Sequence, residues 1–426
     1  MGTTLAQKII ARAAGRERVE VGEIVFASPD LVVTIDRQFP RVVLDLEKIG
    51  ITSLFDPDRH VVVIDHEVPV TSIATATRYD SIRKMVRRLG IKKFYDIGNH
   101  GISHQLMLDK GQVKPGQLIV SDDTHCPTLG AVGAFGVAGL SEMPYVFVKG
   151  KIWLKVPHTI KVVIDGKLSP GTMARDVAQY VISQIGADRA DYRVLEFHGS
   201  TVGYLSLEQR MTLCNVATEI GVKTALINPD AVTDAYVERH GMLPQKWLSS
   251  DHDADYEHVL KFDAEQLGPM VAVPPNPDDV VPIAQVQGVR IDQAYVGSCA
   301  GGRMEDLRAA ADILRGRRIH PGVRCIIVPS SQDLYLAALR EGLFDIFVEA
   351  GAIVSVPTCA FCFGASGPLA DGETCIGTST RNDTGRMGNP NASIYIASAA
   401  TVAASAVTGR ITDPRELVVA KAGYYP

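Results

Sequence analysis

Short runs rich in valine and isoleucine recur along the chain: RHVVVID, KKFYDIG, GQLIVSDD, HTIKVVIDG, RIDQAYVGS, VRCIIVPSS and AGAIVSVP. They are apolar at successive rather than alternate positions. That pattern predicts strands buried on both faces, as in a sheet covered by helices. Between them the apolar spacing changes to that of a helix. TMARDVAQYVISQIG places Met173, Val177, Tyr180, Val181 and Ile185 on one stripe, and EDLRAAADILRG and SQDLYLAALREGLF do likewise. The alternation predicts layered α/β/α domains with mixed sheets.

The proline-rich stretch VAVPPNPDDVVP is unsuited to a helix or a central strand. It predicts a linker, dividing the chain into regions 1–285 and 286–426. No internal repeat and no low-complexity tract interrupts the pattern.

With 426 residues, 46% of them apolar, the chain can bury a substantial core. A formal charge of −5 without any basic run argues against nucleic acid as a partner. No stretch reaches the roughly 18 uninterrupted apolar residues of a membrane span. The opening MGTTLAQKIIARAAGRERVE has no signal-peptide apolar block, so a cytoplasmic protein without membrane contact is expected. Cysteines stand at 126, 214, 299, 325, 359, 362 and 375. An odd number, thinly spread, suits reduced thiols, some of them metal ligands, rather than a disulfide framework.

Among these, GSCAGGR places Cys299 just after a predicted strand, and PTCAFCFG holds Cys359 and Cys362 two residues apart. Two such thiolates can grip one metal centre from a single turn. With Cys299 they make three, a count that leaves one iron of a cubane cluster without a protein ligand. A zinc turn or a redox pair fits the C-x-x-C spacing as well.

Strand ends in α/β folds are where ligands collect. Asp65 and His66 follow VVVI, His104 lies in NHGISHQ, and Asp123 and His125 end QLIVSDDTH. Each histidine could be structural; one steadied by a carboxylate can also relay protons. RMTLCNVATEIG reads as a helix with Asn215 and Glu219 on one face, a face that could equally be solvated. Arg381 and Arg386, in TRNDTGR, carry forks that match carboxylates. Arg303, in GGRMEDL, has Glu305 and Asp306 as neighbours to pair with. The glycines of GAVGAFGVAG, at 133, 136 and 139, do not form a nucleotide loop and predict close backbone packing.

Longer motifs run in register through most of the chain. TLAQKIIARAAGR, SDDTHCPTLGAVGAFG, GKIWLKVPHTIKV and RMTLCNVATEIGVKTALINPD stand upstream. RMEDLRAAADILRGR, SQDLYLAALREGLFDIFVEAGA, PTCAFCFG and LADGETCIGTSTRNDTGRMGNPNASIYIASAATVAASAVTG follow. Together they resemble the large subunit of the isopropylmalate isomerase branch of the aconitase family.

The resemblance implies a [4Fe-4S] cluster on Cys299, Cys359 and Cys362, with Cys126, Cys214, Cys325 and Cys375 as ordinary buried thiols. It implies catalytic roles for Asp65, His66, His104, Asp123, His125 and Glu219. Asn215, with Glu219, would order a cluster-bound hydroxyl or water, and Arg381 and Arg386 would bind substrate carboxylates. The implied activity is a hydro-lyase isomerising a small hydroxy-di- or tricarboxylate, as in leucine biosynthesis. Lacking the family's C-terminal swivel domain, the chain is expected to need a separate small subunit, in a heterodimer or heterotetramer, that brings a serine base. A relative that binds RNA after losing its cluster offers a non-catalytic alternative, which the acidic balance opposes.

Departures from the family's wording gather near the expected substrate pocket. Ala300-Gly301 replace Thr-Asn, Ala360-Phe361 replace a smaller pair, and Thr124 and Cys126 stand where Ser and Thr are common. Thr380 replaces Asn, Asp383 replaces an aromatic, and TIDRQFP lacks a Thr-bearing turn. They predict altered specificity, with dimethylmalate, citraconate or a homoaconitate-like acid as alternatives to isopropylmalate.

Overall fold

The computed structural model describes residues 2–417. Every valine-rich run singled out above contains a strand, and the chain is layered α/β. It divides into two compact units, each assembled from separate stretches of sequence.

The first unit comprises residues 1–163, 190–198 and 221–260. Its centre is a five-stranded sheet ordered Lys93–Tyr95, His60–Val63, Leu31–Ile35, Leu118–Ser121 and Phe135–Ala138, with every pair parallel. The inner three strands are buried at every residue, hence their unbroken apolar character. A second sheet is built around Thr224–Ile227, Val194–His198 and Thr159–Asp165, again parallel. A short antiparallel pair joins Ile24–Ala27 to Ile152–Lys155. The glycines of the 133–139 stretch do pack closely. A Cβ on Gly136 would stand 2.1 Å from the Cys126 carbonyl oxygen, and Gly133 adopts φ +73.

The second unit comprises residues 164–189, 199–220 and 261 onward. Its seven-stranded sheet runs Val280–Pro282, Met270–Ala272, Ser393–Ala397, Thr374–Gly377, Gln293–Val296, Arg324–Ile327 and Ile353–Val354. The last five are parallel and the first two antiparallel. Helices Ala174–Ile185, Met304–Leu314 and Ala399–Thr408 bury apolar faces in this unit, the latter two in a core with Val296 and Ile327.

Three expectations need correction. The proline-rich stretch is not a linker, and residue 285 is not a boundary. Its prolines occupy the turn after Ala272 and the edge strand, where a missing N–H costs no ladder bond, so the segment forms a hairpin of the seven-stranded sheet. SQDLYLAALREGLF is not one helix: Gly342, at φ +71, separates Gln332–Arg340 from Leu343–Ala350. RMTLCNVATEIG is α-helical only to Val216, after which Ala217–Ile220 tightens into a 3-10 turn carrying Glu219. Among the described residues no helix is long and apolar enough to cross a membrane.

Candidate active-site groups

In the first unit, three parallel strands end side by side, and the chemistry stands within a few residues of each C-terminus. Asp36 follows Leu31–Ile35, Asp65 and His66 follow His60–Val63, and Asp122 and Asp123 follow Leu118–Ser121. Carboxylates at these positions are buried where loop N–H groups can hold them. Asp65 accepts from the backbone N–H of Ser103 at 3.0 Å, and Asp122 from that of Ile35 at 3.0 Å.

His66 Nδ1 lies 2.5 Å from Asp65 Oδ1 and 3.2 Å from Asp36 Oδ1. Both carboxylates are fully buried, while the imidazole keeps 12% of its surface exposed. Burial opposes its charge, yet the two carboxylates outweigh burial and hold His66 well above its usual range. Burial likewise raises Asp65, to about 6, with the neighbouring Asp36 and Asp123 adding to it against the pull of His66. Both groups raised together describe a pair sharing a proton across a short contact. Asp36 goes the other way. Although buried, it is lowered by His66 and by the Tyr79 hydroxyl that donates to its Oδ2.

Asp123 organises the other two histidines. Its Oδ1 accepts from the His125 N–H at 2.8 Å, and its carboxylate lies 3.6 Å from His125 Nδ1 and 3.8 Å from His104 Nδ1. The two rings are 6.3 Å apart, centre to centre. Against its burial, these contacts push Asp123 far below the ordinary carboxylate range, so it stays ionised. The structure therefore brings together Asp65, His66, His104, Asp123 and His125.

In the second unit, the strand Gln293–Val296 ends in a loop held in an unusual shape. Ser298 adopts φ +72, rare for a residue with a Cβ. Its hydroxyl donates to Thr378 O at 2.8 Å, and its carbonyl accepts from Ser330 Oγ at 2.7 Å. Two buried guanidinium groups close the loop from below. Arg303 donates to the Cys299 carbonyl and, at 2.9 Å, to Thr212 Oγ1; Arg175 donates to the Ala300, Thr378 and Ser379 carbonyls. Arg303 thus braces the cysteine loop rather than pairing only with its acidic neighbours. Gly301 is required here, since a Cβ would meet the Thr378 side chain at 2.2 Å.

Cys359 and Cys362 bracket a one-turn 3-10 helix, closed by Cys362 N–H donating to the Cys359 carbonyl at 3.0 Å. Phe361 between them stacks on Tyr295, ring centres 6.1 Å apart, which gives that departure a packing role. Cys299, Cys359 and Cys362 all bear electrostatically on the buried Tyr295 phenol, raising it on top of the effect of burial. The Cys362 thiol is pulled well below its usual range by its hydrogen bond with Cys359 and by Arg386, against burial. The remaining thiols behave oppositely. Burial pushes Cys325 and Cys375 up to about 12 and raises Cys126 and Cys214 as well. Cys362 on the C-x-x-C turn is thus supported by a cation, whereas Cys126, Cys214, Cys325 and Cys375 are held as neutral buried thiols. That donor set suits a thiolate-held metal group.

Arg386 donates to the Cys362 carbonyl at 3.1 Å and approaches its Sγ at 3.7 Å, so part of the fork expected for substrate is spent on the cysteine turn. Arg381 Nε donates to Glu219 at 2.9 Å, and the Glu219 side chain is only 4% exposed. Asn215 is fully buried, which excludes a solvated helix face. Thr380 is buried too, whereas Asp383 is exposed. Sequence reasoning missed Asp36, Tyr79, Arg175 and Tyr295. Asp36 had a signal, being the first residue past a buried strand; the others, on helices or within strands, had none.

Comparison with known proteins places this geometry in a family. A profile described as "Aconitase family (aconitate hydratase)" matches residues 7–409. A protein of Aquifex aeolicus (strain VF5) named "3-isopropylmalate dehydratase large subunit" is 44% identical, over 99% of this chain and 99% of its own length. The "3-isopropylmalate dehydratase large subunit 1" of Methanopyrus kandleri is also 44% identical, over 97% of this chain and 99% of its own. The holo-form of Thermococcus kodakaraensis aconitase X matches with a TM-score of 0.49 and 11% identity, covering 83% of this chain and 84% of that one. The chain belongs to the aconitase family, whose hydro-lyases are generally iron–sulfur enzymes.

Proposed function

We propose that this hydro-lyase is the large subunit of a 3-isopropylmalate-type dehydratase. It would remove water from a hydroxy-dicarboxylate and return it across the adjacent carbon. The observation that carries this reading is the identity of 44% over nearly the full length of relatives bearing that name. Since those names specify a large subunit, a small-subunit partner belongs to the proposal, as does its serine base.

Cys299, Cys359 and Cys362 would hold a [4Fe-4S] cluster, which when bound supplies an iron without a protein ligand as a Lewis acid. The protein's own groups cover the rest. His66, charged by its two carboxylates, protonates the departing hydroxyl at the carbon–oxygen bond that breaks. His104 and His125, steadied by ionised Asp123, orient and relay protons. Arg381 and Arg386 place positive charge for substrate carboxylates, with Glu219 fixing Arg381 and Asn215 presenting a buried amide.

The test is anaerobic reconstitution with the cognate small subunit, followed by absorbance of the conjugated unsaturated acid. 3-Isopropylmalate is compared with dimethylmalate, citraconate and homoaconitate. Turnover of 3-isopropylmalate by the two-chain enzyme supports the reading. Preference for another acid moves the substrate, full turnover by this chain alone removes the partner, and no hydration of any acid removes the function.

A further inference from the structure

The loop past Leu31–Ile35 departs from the family's wording, yet it delivers a second carboxylate to His66. Asp36 has no exposed surface, and it touches His66 twice: Oδ2 accepts from the His66 backbone N–H at 3.2 Å, and Oδ1 faces the ring Nδ1 at 3.2 Å. Tyr79, fully buried on helix Ile73–Leu89, donates its hydroxyl to Asp36 Oδ2. That hydroxyl also lies 3.1 Å from the Glu67 N–H. Tyr79 therefore fixes both Asp36 and the turn that follows His66.

We propose that Asp36, anchored by Tyr79, is a positioning residue that locks the Nδ1 edge of His66 between two carboxylates and so keeps the ring a proton donor. The inference rests on the reading of His66 as the acid of the hydro-lyase. In the dehydration step the small subunit's serine base takes the adjacent carbon-bound proton, that C–H pair becomes the new carbon–carbon double bond, the carbon–oxygen bond breaks, and the departing hydroxyl takes the proton from His66 Nε2 and leaves as water. The imidazole is left neutral until hydration returns the proton.

A metal ion between Asp36, Asp65 and His66 is the competing reading of the same three residues, whose ligand atoms lie within 4.8 Å of one another. The 2.5 Å contact between His66 Nδ1 and Asp65 Oδ1 argues against it. Neighbouring ligands on one ion, with bonds near 2.1 Å, stand about 3 Å apart. A contact of 2.5 Å is shorter than that and falls nearest a charge-assisted hydrogen bond, whose N–H···O length is about 2.7–2.9 Å.

The other groups around His66 do not reverse its charge. Asp65 and Asp36 meet it directly, Asp122, itself raised by burial, couples to it from past the strand Leu118–Ser121, and Asp123 acts on Asp65. From the helix side, Arg78 pairs with Glu67 at 2.8 Å and also acts electrostatically on Asp36. From helix Ser103–Asp109 come the Ser103 N–H, on Asp65, and His104, on Asp123. Carboxylates dominate the surroundings, and the hydrogen bonds of Asp36 run to His66 and Tyr79, with Arg78 acting on it electrostatically.

The experiment combines histidine NMR of the free chain with the pH profile of kcat/KM for the two-chain enzyme. Wild-type His66, assigned by its loss in His66→Gln, should remain protonated well above the pH at which an ordinary histidine titrates. In Asp36→Asn the ring should titrate at least about one pH unit lower, and the alkaline limb of kcat/KM should move down with it. Tyr79→Phe, which keeps the charge and loses the anchor, should lower kcat severalfold with a smaller shift of that limb. If wild-type His66 titrates as an ordinary histidine, the proposal fails even where Asp36→Asn does not fold. If Asp36→Asn leaves the ring's titration unmoved, the proposal fails as well. If the ring's titration moves while the rate profile does not, the positioning claim stands and the catalytic reading of His66 falls. Metal bound in Asp36-dependent fashion by apo-chain lacking the cluster cysteines would favour the ion and overturn the proton reading.

Discussion

Replacing Arg303 by methionine is the most informative change to the cysteine loop, because the side chain has no exposed surface and reaches both the Cys299 carbonyl and the distant Thr212. The substitution keeps much of the stem's apolar packing and removes two hydrogen bonds from a charged donor, to the Cys299 carbonyl and to Thr212 Oγ1. Bonds of that kind contribute about 1.5–3 kcal/mol each. It also strips Asp306 of its counter-charge. Burial already raises Asp306 to about 7, so this carboxyl turns neutral at modest cost. Together these put the loss at about 4 kcal/mol, within the range for breaking one side of a buried ionic arrangement. Urea unfolding of the apo-chain measures it, and Arg303→Met/Asp306→Asn should recover part of it. Because Cys299 is only 6% exposed, its reaction with a thiol reagent should quicken in the variant. A loss below about 1 kcal/mol, the value of an exposed pair, with unchanged Cys299 reactivity would refute the bracing role.

Three further outcomes are expected. Asp176 is raised to about 7 by burial despite donors from Met173 and Met270. Its folded value lies above its unfolded one, so its contribution is present at low pH and is lost as pH rises through 7; Asp176→Asn should flatten stability between about pH 4 and 7. Glu219→Gln removes the anchor of Arg381 and should lower kcat/KM by about a hundredfold in the two-chain enzyme, with folding unchanged. Gly301→Asn, which restores the family's residue, should cost about 1–3 kcal/mol in thermal unfolding through overlap with the Thr378 side chain.

The strands were legible because burial on both faces writes an unbroken apolar run, as in His60–Val63. The acidic and histidine residues were legible because they stand just past those runs. What stayed hidden depends on contacts distant in sequence. Tyr79 meets Asp36 across 43 positions, and Arg175 meets the Ser379 carbonyl across 204. Neither contact leaves a periodicity. The hairpin at 270–282 was masked because proline, excluded from central strands, is tolerated at an edge. The interleaving of the two units is likewise silent in a one-dimensional pattern: helix Ala174–Ile185 lies far upstream of the sheet whose unit it joins.

The central claim is that Cys299, Cys359 and Cys362 act together while the other four thiols do not. Anaerobic reconstitution with iron and sulfide, followed by metal and sulfide analysis and a visible spectrum, tests it on wild type and on seven single Cys→Ser variants. About four irons and four sulfides per chain are expected for wild type and for the variants at 126, 214, 325 and 375, with loss at 299, 359 and 362. Cluster retention in Cys299→Ser, or loss confined to Cys359 and Cys362 with zinc bound in place of iron, would contradict the account.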